Sequence, residues 1–374
     1  MKFVCTKENL VGALNLVAPL AGKQSNLPIL SNVLIDATES RVEFVSTNLE
    51  MVVKCSLRAK VEIAGKFTVP AKTLYDFVSL ISDEQIEISV EENELVVSCN
   101  DSSTKIKGSP SEDYPIIPEA EEGSVYTILV DVFADALTRV GIAAAKNDIR
   151  PELSGVYCGF FTDRYEGLVM AATDSYRLAE KKVSVAQGSD VRQCILPIKT
   201  VMEVARLLSS VKNSGKETQV RMWVSDNQIG VRYESFEITS RLVSGSYPDY
   251  AQIIPTEFKT HAIVSVDAFH KKIKAASLFS STGINGVNFT LSPSESAVMV
   301  ASMSSQTGEH SSQVEAQVAG EENAILLNFR YVLDGLANLD SEEMEFLMNS
   351  HDAPCMMRGK GKEDYLYLVM PIRQ

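Results

Sequence analysis

The chain has 374 residues, 45% hydrophobic and 22% charged, with 35 Lys and Arg against 49 Asp and Glu for a formal net charge of −14. That length exceeds one ordinary core and predicts two or three domains, and the absence of low-complexity tracts excludes a disordered or fibrous chain. The acid excess argues against a uniformly basic nucleic-acid binder, and it is compatible with either an acidic surface throughout or an acidic exterior carrying a segregated basic face.

Residues 1–5 alternate as a short strand. Leu10, Leu14 and Val17 then mark one buried face of a helix, with Thr6 where an N-cap belongs. After Lys2 and Lys7 the stretch 10–21 is nearly all apolar, in the manner of a secretory signal. The same opening recurs inside the chain, however. Residues 126–130 precede Phe133, Leu137 and Val140, and residues 262–266 precede Phe269, Ile273 and Ala276, with Asp131 and Asp267 as expected N-caps. The expectation is therefore a repeated amphipathic helix rather than a targeting segment. No run is long enough to cross a membrane as a helix.

A β-rich block follows each of these helices: 32–36, 41–45 and 51–57; 155–161, 167–173 and 177–183; 286–291, 297–302 and 312–318. Each block leads to a second repeated helix. A short apolar run ends at Pro197, and Val201, Val204, Ala205 and Leu208 then follow the i, i+3, i+4, i+7 spacing, with Pro197 suited to the first turn. The earlier copy is Pro70 followed by Leu74, Phe77, Val78 and Ile81. The later copy places Asn328 where the proline stood, followed by Val332, Gly335, Leu336 and Leu339. Further strands are expected at 85–90 and 94–99, at 218–224, 228–233 and 236–243, and at 343–348, 354–358 and 365–370. The first two copies close on related turns, one from Tyr114-Pro115 to Pro118 and the other from Tyr247-Pro248 to Pro255.

The period is about 130 residues, well above the roughly 20–50 of solenoid arrays, so each copy reads as a domain with its own core. The predicted fold class is α+β: three structurally repeated domains, each with two helices on a mostly antiparallel sheet. The boundaries fall near 119–123 and 256–260, giving domains 1–122, 123–258 and 259–374.

Six cysteines (Cys5, Cys55, Cys99, Cys158, Cys194 and Cys355) are scattered without a C-x-x-C, which predicts free thiols in a reducing cytoplasm. The four histidines show no metal-ligand spacing, and no metal or other cofactor is expected. No nucleophile elbow, P-loop, H-E-x-x-H or G-x-G-x-x-G supports an enzyme, and no helix-turn-helix or zinc module supports a sequence-specific regulator. Asp174 beside Arg177 reads as an ion pair that orders a turn.

One basic residue occupies the same position in each second helix, two places after the proline or asparagine: Lys72, Lys199 and Arg330. Arg206 and Lys272 lie on the repeated helices as well, as do Arg139, Lys271 and Lys274. Cations on helices can meet phosphates without reading sequence.

Five stretches, in order and in register with the repeat, resemble the bacterial DNA polymerase III beta subunits, the sliding-clamp family. They are Met1-Lys-Phe3, Leu27-Pro-Ile-Leu30, Ala172-Thr-Asp-Ser-Tyr-Arg-Leu-Ala179, Arg241-Leu-Val-Ser-Gly-Ser-Tyr-Pro-Asp-Tyr250 and Tyr367-Leu-Val-Met-Pro-Ile-Arg373. The resemblance spans essentially the whole chain. It implies a non-catalytic processivity factor, cytoplasmic, working as a homodimer closed head to tail into a ring around duplex DNA. The implied protein partners are the replicative polymerase alpha subunit, an ATP-driven clamp loader, and other polymerases and repair proteins with clamp-binding motifs. An interaction scaffold that binds peptides without encircling DNA is the alternative.

The same resemblance adds Lys23, Lys146, Asn147 and Arg150 as DNA-facing candidates, with Pro151 and Glu152 where related clamps carry aromatic residues. It implies a peptide pocket of Leu153, Thr173, Ser175, Tyr176, Arg177, Leu178, Pro248, Ile253, Leu368, Val369, Met370, Pro371, Ile372 and Arg373. Ser175-Tyr176 stands where Gly-His is common, and Gln252 where a basic residue can occur. Ile106 and Leu278-Phe279 match the apolar contacts of the family's dimer seam.

Overall fold

The computed structural model describes residues 1–21, 27–100, 102–117, 121, 123–147, 149–211, 218–281 and 283–373. Lys23 lies outside them, as do positions 118–120 and 122 at the first expected boundary.

The first repeat runs β1 (Lys2–Thr6), α1 (Lys7–Val17), β2 (Asn32–Ala37), β3 (Val42–Thr47), β4 (Met51–Leu57), β5 (Lys60–Ile63), β6 (Gly65–Pro70), α2 (Ala71–Leu80), β7 (Gln85–Glu91), β8 (Glu94–Ser98) and β9 (Ser103–Lys107). The second runs β10 (Ser124–Leu129), α3 (Val130–Gly141), β11 (Gly155–Thr162), β12 (Tyr165–Thr173), β13 (Arg177–Val183), β14 (Arg192–Pro197), α4 (Ile198–Val211), β15 (Gln219–Val224), β16 (Gln228–Tyr233) and β17 (Phe236–Arg241). The third runs β18 (Thr260–Ser265), α5 (Val266–Ser277), β19 (Gly286–Ser292), β20 (Ala297–Ser304), β21 (Gly308–Gly320), β22 (Asn323–Asn328), α6 (Phe329–Ala337), β23 (Glu343–Met348), β24 (Cys355–Gly359) and β25 (Tyr365–Val369).

The expected stripes are the buried faces. Leu10, Leu14 and Val17, Phe269, Ile273 and Ala276, and Val201, Val204 and Leu208 are all nearly inaccessible to water. Two expected caps are corrected. Ser265, not Asp267, caps α5 by accepting from the Ala268 N–H, while Asp267 sits one place inside the helix and pairs with Lys271. Asp131 likewise lies in the first turn of α3, where a carboxylate favours the positive end of the helix dipole. Pro197 and Pro70 close strands β14 and β6 rather than entering the helices that follow.

Two compact units divide the chain. One comprises Met1–Ala134, Val185–Asp190 and Glu203–Leu242; the other comprises Asp135–Ser184, Val191–Met202 and Val243–Gln374. In the first unit, one sheet has the order β5-β1-β7-β8-β9 and a second the order β10-β15-β16-β17-β4-β3-β2-β6. In the second unit a single sheet has the order β14-β11-β12-β13-β25-β24-β23-β18-β21-β20-β19-β22, and every pairing in these sheets is antiparallel. The sheets therefore do not stop where the repeats do: β4 pairs with β17, and β13 with β25. Each pairing satisfies a strand edge that an isolated repeat would leave open.

Equivalent details recur. Ser46 Oγ donates to the Val17 carbonyl at the end of α1 (2.8 Å), and Ser302 Oγ donates to the Ala276 carbonyl near the end of α5 (2.5 Å). Each gives an orphan terminal carbonyl a partner. The third repeat's core centres on Phe269, Phe289 and Phe346, whose ring centroids lie 5.5–5.8 Å apart.

Candidate functional site

The turn between β12 and β13 is built by its own polar side chains. Thr173 Oγ1 donates to the Arg177 carbonyl (2.6 Å) and accepts from the Ser175 N–H (3.1 Å). Asp174 Oδ1 accepts from the N–H groups of Tyr176 and Arg177, each at 3.0 Å. This locks Ser175 at φ +77°, a left-handed conformation that serine visits rarely.

Arg177 is only 4% exposed. Its Nε donates to Asp174 Oδ2 (2.9 Å), its Nη1 to Asp334 Oδ2 on α6 (2.5 Å), and its guanidinium lies 4.6 Å from the centre of the Tyr331 ring. Burial opposes the charge, but the oxygens of Tyr367, Asp334 and Asp174 outweigh it and hold the guanidinium more firmly protonated than usual. Tyr331 in turn stacks on Tyr176, with centroids 6.5 Å apart and planes 21° apart. The tail is tied down by the Met370 N–H donating to the Tyr176 carbonyl (2.8 Å) and the Ile372 N–H donating to Leu326 (2.9 Å).

These contacts frame an open cleft of about 540 Å³ lined by Ser175, Tyr176, Asn328, Tyr331, Asp352, Met370, Pro371, Ile372 and Arg373. Six of the fourteen expected pocket residues therefore line it. Thr173 and Arg177 hold the turn behind it. Leu178 and Leu368 face each other across β13 and β25, and both are buried in a cluster with Ala171, Tyr250, Leu347 and Met356. Val369 is buried opposite Arg177. Leu153 is buried too, its N–H donating to the Arg150 carbonyl.

Pro248 precedes, and Ile253 ends, a short 3-10 turn, Tyr250–Ile253, in which Gln252 donates to Asp249 (2.8 Å). Tyr157, Tyr247 and Tyr250 pack ring against ring near it, and the Tyr247 hydroxyl accepts from the Thr173 N–H (3.0 Å). Burial pushes the Tyr247 and Tyr250 phenols well above their ordinary range, so both stay neutral. Sequence reasoning missed Asn328, Tyr331 and Asp352. Tyr331 was findable, since it is an aromatic one place before the apolar stripe of α6.

Among the basic candidates, Lys72, Lys199 and Arg330 are all exposed at the starts of α2, α4 and α6. Lys72 pairs with Asp76 one turn on, and Arg330 leans over the Phe329 ring at 6.0 Å. Lys146, Asn147 and Arg150 are exposed as well; Arg150 Nε donates to Glu152 (3.1 Å), and the Asn147 carbonyl accepts from Ser154 Oγ. Lys272 is half-buried.

Arg206 is corrected. It donates to Glu203 (2.6 Å) and to the carbonyls of Asn15 (3.1 Å) and Leu16 (2.7 Å), so it caps the end of α1 rather than offering a free cation. Arg139 is committed in the same way to Asp135 (2.6 Å) and the Tyr365 ring.

At the expected seam, Ile106 lies on β9, an edge of the five-stranded sheet, but its own side chain is buried. Leu278 is 71% exposed, and Phe279 stacks on His310 at 5.7 Å. Among the described residues no group of three or more His, Cys, Asp or Glu could hold a metal, and no helix is long and apolar enough to cross a membrane.

Three family models match in succession, described as the N-terminal, central and C-terminal domains of the DNA polymerase III beta subunit, over residues 1–118, 127–249 and 251–373. A beta sliding clamp of Streptococcus pneumoniae is 28% identical over 381 residues, covering 99% of each chain. The structure is similar to a DNA polymerase III beta subunit of Thermotoga maritima (TM-score 0.91, 26% identity, covering 100% of this chain and 99% of that one). It is also similar to a Pseudomonas aeruginosa sliding clamp bound to griselimycin (TM-score 0.92, 26% identity, all of both chains).

Proposed function

We propose a working form from one premise: the chain belongs to the DNA polymerase III beta subunit family. It is a sliding clamp, a non-catalytic subunit that makes a DNA polymerase processive, and its partners are DNA and polymerase. The proposal concerns how it does so. Two copies close head to tail into a ring, each contributing the repeats 1–122, 123–258 and 259–374, a division supported by the three family matches. Leu278, Phe279 and the β9 edge carrying Ile106 form the seam. Lys72, Lys199, Arg330, Lys146, Asn147, Arg150 and Lys272 face the duplex. Contact with phosphates alone leaves the ring free to slide, because no base edge is read.

The cleft beside Tyr176 takes short apolar segments of the polymerase alpha subunit, the clamp loader, other polymerases and repair proteins. The observation that carries this reading is the pinned tail, since Met370 to Ile372 form one wall of an open, largely apolar cleft. A methionine there can repack around different partners. The griselimycin-bound clamp of Pseudomonas aeruginosa supports a pocket of this kind for peptide-like ligands.

Light-scattering mass and fluorescence anisotropy with a labelled Gln-Leu-Ser-Leu-Phe peptide test both halves, on the intact chain and on one lacking residues 370–374. A dimer whose tight binding of the peptide is lost with the tail is expected. A monomer would sink the closed ring, and tight binding that survives loss of the tail would move the pocket elsewhere.

A further inference from the structure

The order β10-β15-β16-β17-β4-β3-β2-β6 in the first unit repeats as β18-β23-β24-β25-β13-β12-β11-β14 in the second. The turn between β3 and β4 thus corresponds to the turn between β12 and β13 that frames the Tyr176 cleft, and the match extends to single hydrogen bonds. Thr47 Oγ1 donates to the Met51 carbonyl (2.8 Å) and accepts from the Leu49 N–H (3.0 Å). Asn48 Oδ1 accepts from the N–H groups of Glu50 (3.0 Å) and Met51 (2.9 Å). Leu49 stands at φ +73°, where Ser175 stands at +77°. The Arg241 N–H donates to the Glu50 carbonyl (3.0 Å), as the Met370 N–H does to Tyr176.

A cleft of about 550 Å³ opens at this turn too, with Leu49, Val52, Ile116 and Ile117 on its apolar side and Glu50 and Arg241 on its charged side. Leu49 is 51% exposed and Ile116 is 95% exposed. A leucine in left-handed backbone with half its side chain in water is an unusual placement; glycine or asparagine adopts that conformation far more readily.

We propose that this cleft is a second peptide-binding site on each chain, taking a short extended segment of a partner protein with a large apolar side chain beside a polar one. The proposal rests on the reading of the Tyr176 cleft as a peptide site, because the occupant's class is inferred from the shared backbone cradle. The side chains set the difference. Glu50 replaces Tyr176, Arg241 replaces Met370, and Thr239 and Ser240 replace Leu368 and Val369 in the register of β17 against β4. With a larger polar share in its lining, the second site binds more weakly and favours segments with a charged or amide flank.

Calorimetric titration of the full chain with Gln-Leu-Ser-Leu-Phe tests this. Two binding events per chain are expected, the second roughly tenfold weaker or more, which is about 1.4 kcal/mol. Ile116→Asp and, separately, Leu49→Glu should abolish the weaker event and leave the stronger within about twofold, whereas deleting residues 370–374 should do the reverse. A single event, lost with the tail and indifferent to both substitutions, overturns the second site and leaves the first standing. A single event lost only with Ile116→Asp and Leu49→Glu overturns the Tyr176 reading and keeps this one. Two events indifferent to both substitutions also overturn the proposal, and absence of binding overturns both readings.

Discussion

Arg177 of β13 and Asp334 of α6 meet at 2.5 Å, 157 residues apart in sequence, and join the turn before β13 to the last helix of the chain. The same guanidinium carries the Tyr331 ring that stacks on Tyr176, so one buried cation sets the geometry of the cleft wall. Arg177→Ala should cost about 2 kcal/mol in urea unfolding, below the 3–5 kcal/mol of a fully buried pair because Asp334, left alone, can return to water. Peptide affinity at the cleft should fall several-fold as Tyr331 loses its platform. Arg177→Lys should restore little of either, since an ammonium cannot serve Asp174, Asp334 and the ring together. Full rescue by lysine would refute the positioning role.

Lys181 is only 8% exposed and donates to Asp364 at 2.6 Å. Burial opposes the Asp364 charge, but the hydrogen bond and charge of Lys181 outweigh it and hold the carboxyl below its ordinary range. A depressed folded-state value means the pair's contribution is complete above the unfolded carboxyl's value, about 3.9, and is lost as pH falls through the folded one. Thermal midpoints measured from pH 7 down to about pH 3 should fall more steeply in acid for the native chain than for Asp364→Asn. Parallel curves would show that Lys181 is held by other groups.

Thiol reactivity should be confined to one position. Burial raises the Cys5 thiol to about 12 and Cys55 to about 11, and lifts Cys355 well above the ordinary range; hydrogen bonding of the Cys158 S–H to Cys194, with burial, does so for Cys158. Cys194 is buried as well, and only Cys99 is partly exposed. Iodoacetamide at neutral pH should therefore label one thiol in the native protein and six after denaturation, and Cys99→Ser should leave none labelled in the native state. Rapid native labelling of a second cysteine would reveal local opening of that repeat.

The repeat and its helices were legible because buried stripes at period 3.6 survive in three copies, as at Leu10, Phe133 and Phe269. What failed had causes that a local pattern does not carry. Ser265 and Asp267 lie two places apart and both can cap a helix; Asp267 is drawn instead to Lys271, one turn along α5. Arg206 reads as a free helix cation, yet two of its acceptors lie 190 and 191 residues earlier in the chain. Strand β5 was missed because its four residues bury none of their side chains, which leaves no alternation to detect. Leu178 and Leu368 were placed in the pocket, but alternation along a strand does not say which face lies beneath a cluster such as the one around Tyr250.

The three repeat-matched cations give the most direct test of the DNA-facing reading. Lys72, Lys199 and Arg330 are exposed at equivalent helix starts on a chain whose net charge is −14, so attraction to a polyanion has to come from particular exposed cations such as these. Each phosphate neutralised contributes about 0.9 to the slope of log K against log salt, so replacing all three by alanine should flatten that slope by up to about 2.7 for duplex DNA. Lys72 already shares its charge with Asp76, so Asp76→Asn should strengthen binding modestly at low salt. Anisotropy of a labelled duplex across a salt series, repeated with a second unrelated sequence, measures both effects. The loss should be the same for the two sequences, because phosphate contacts carry no base information. A triple variant with an unchanged slope would place the contacting cations elsewhere on the chain, and a sequence-dependent loss would contradict a ring that slides.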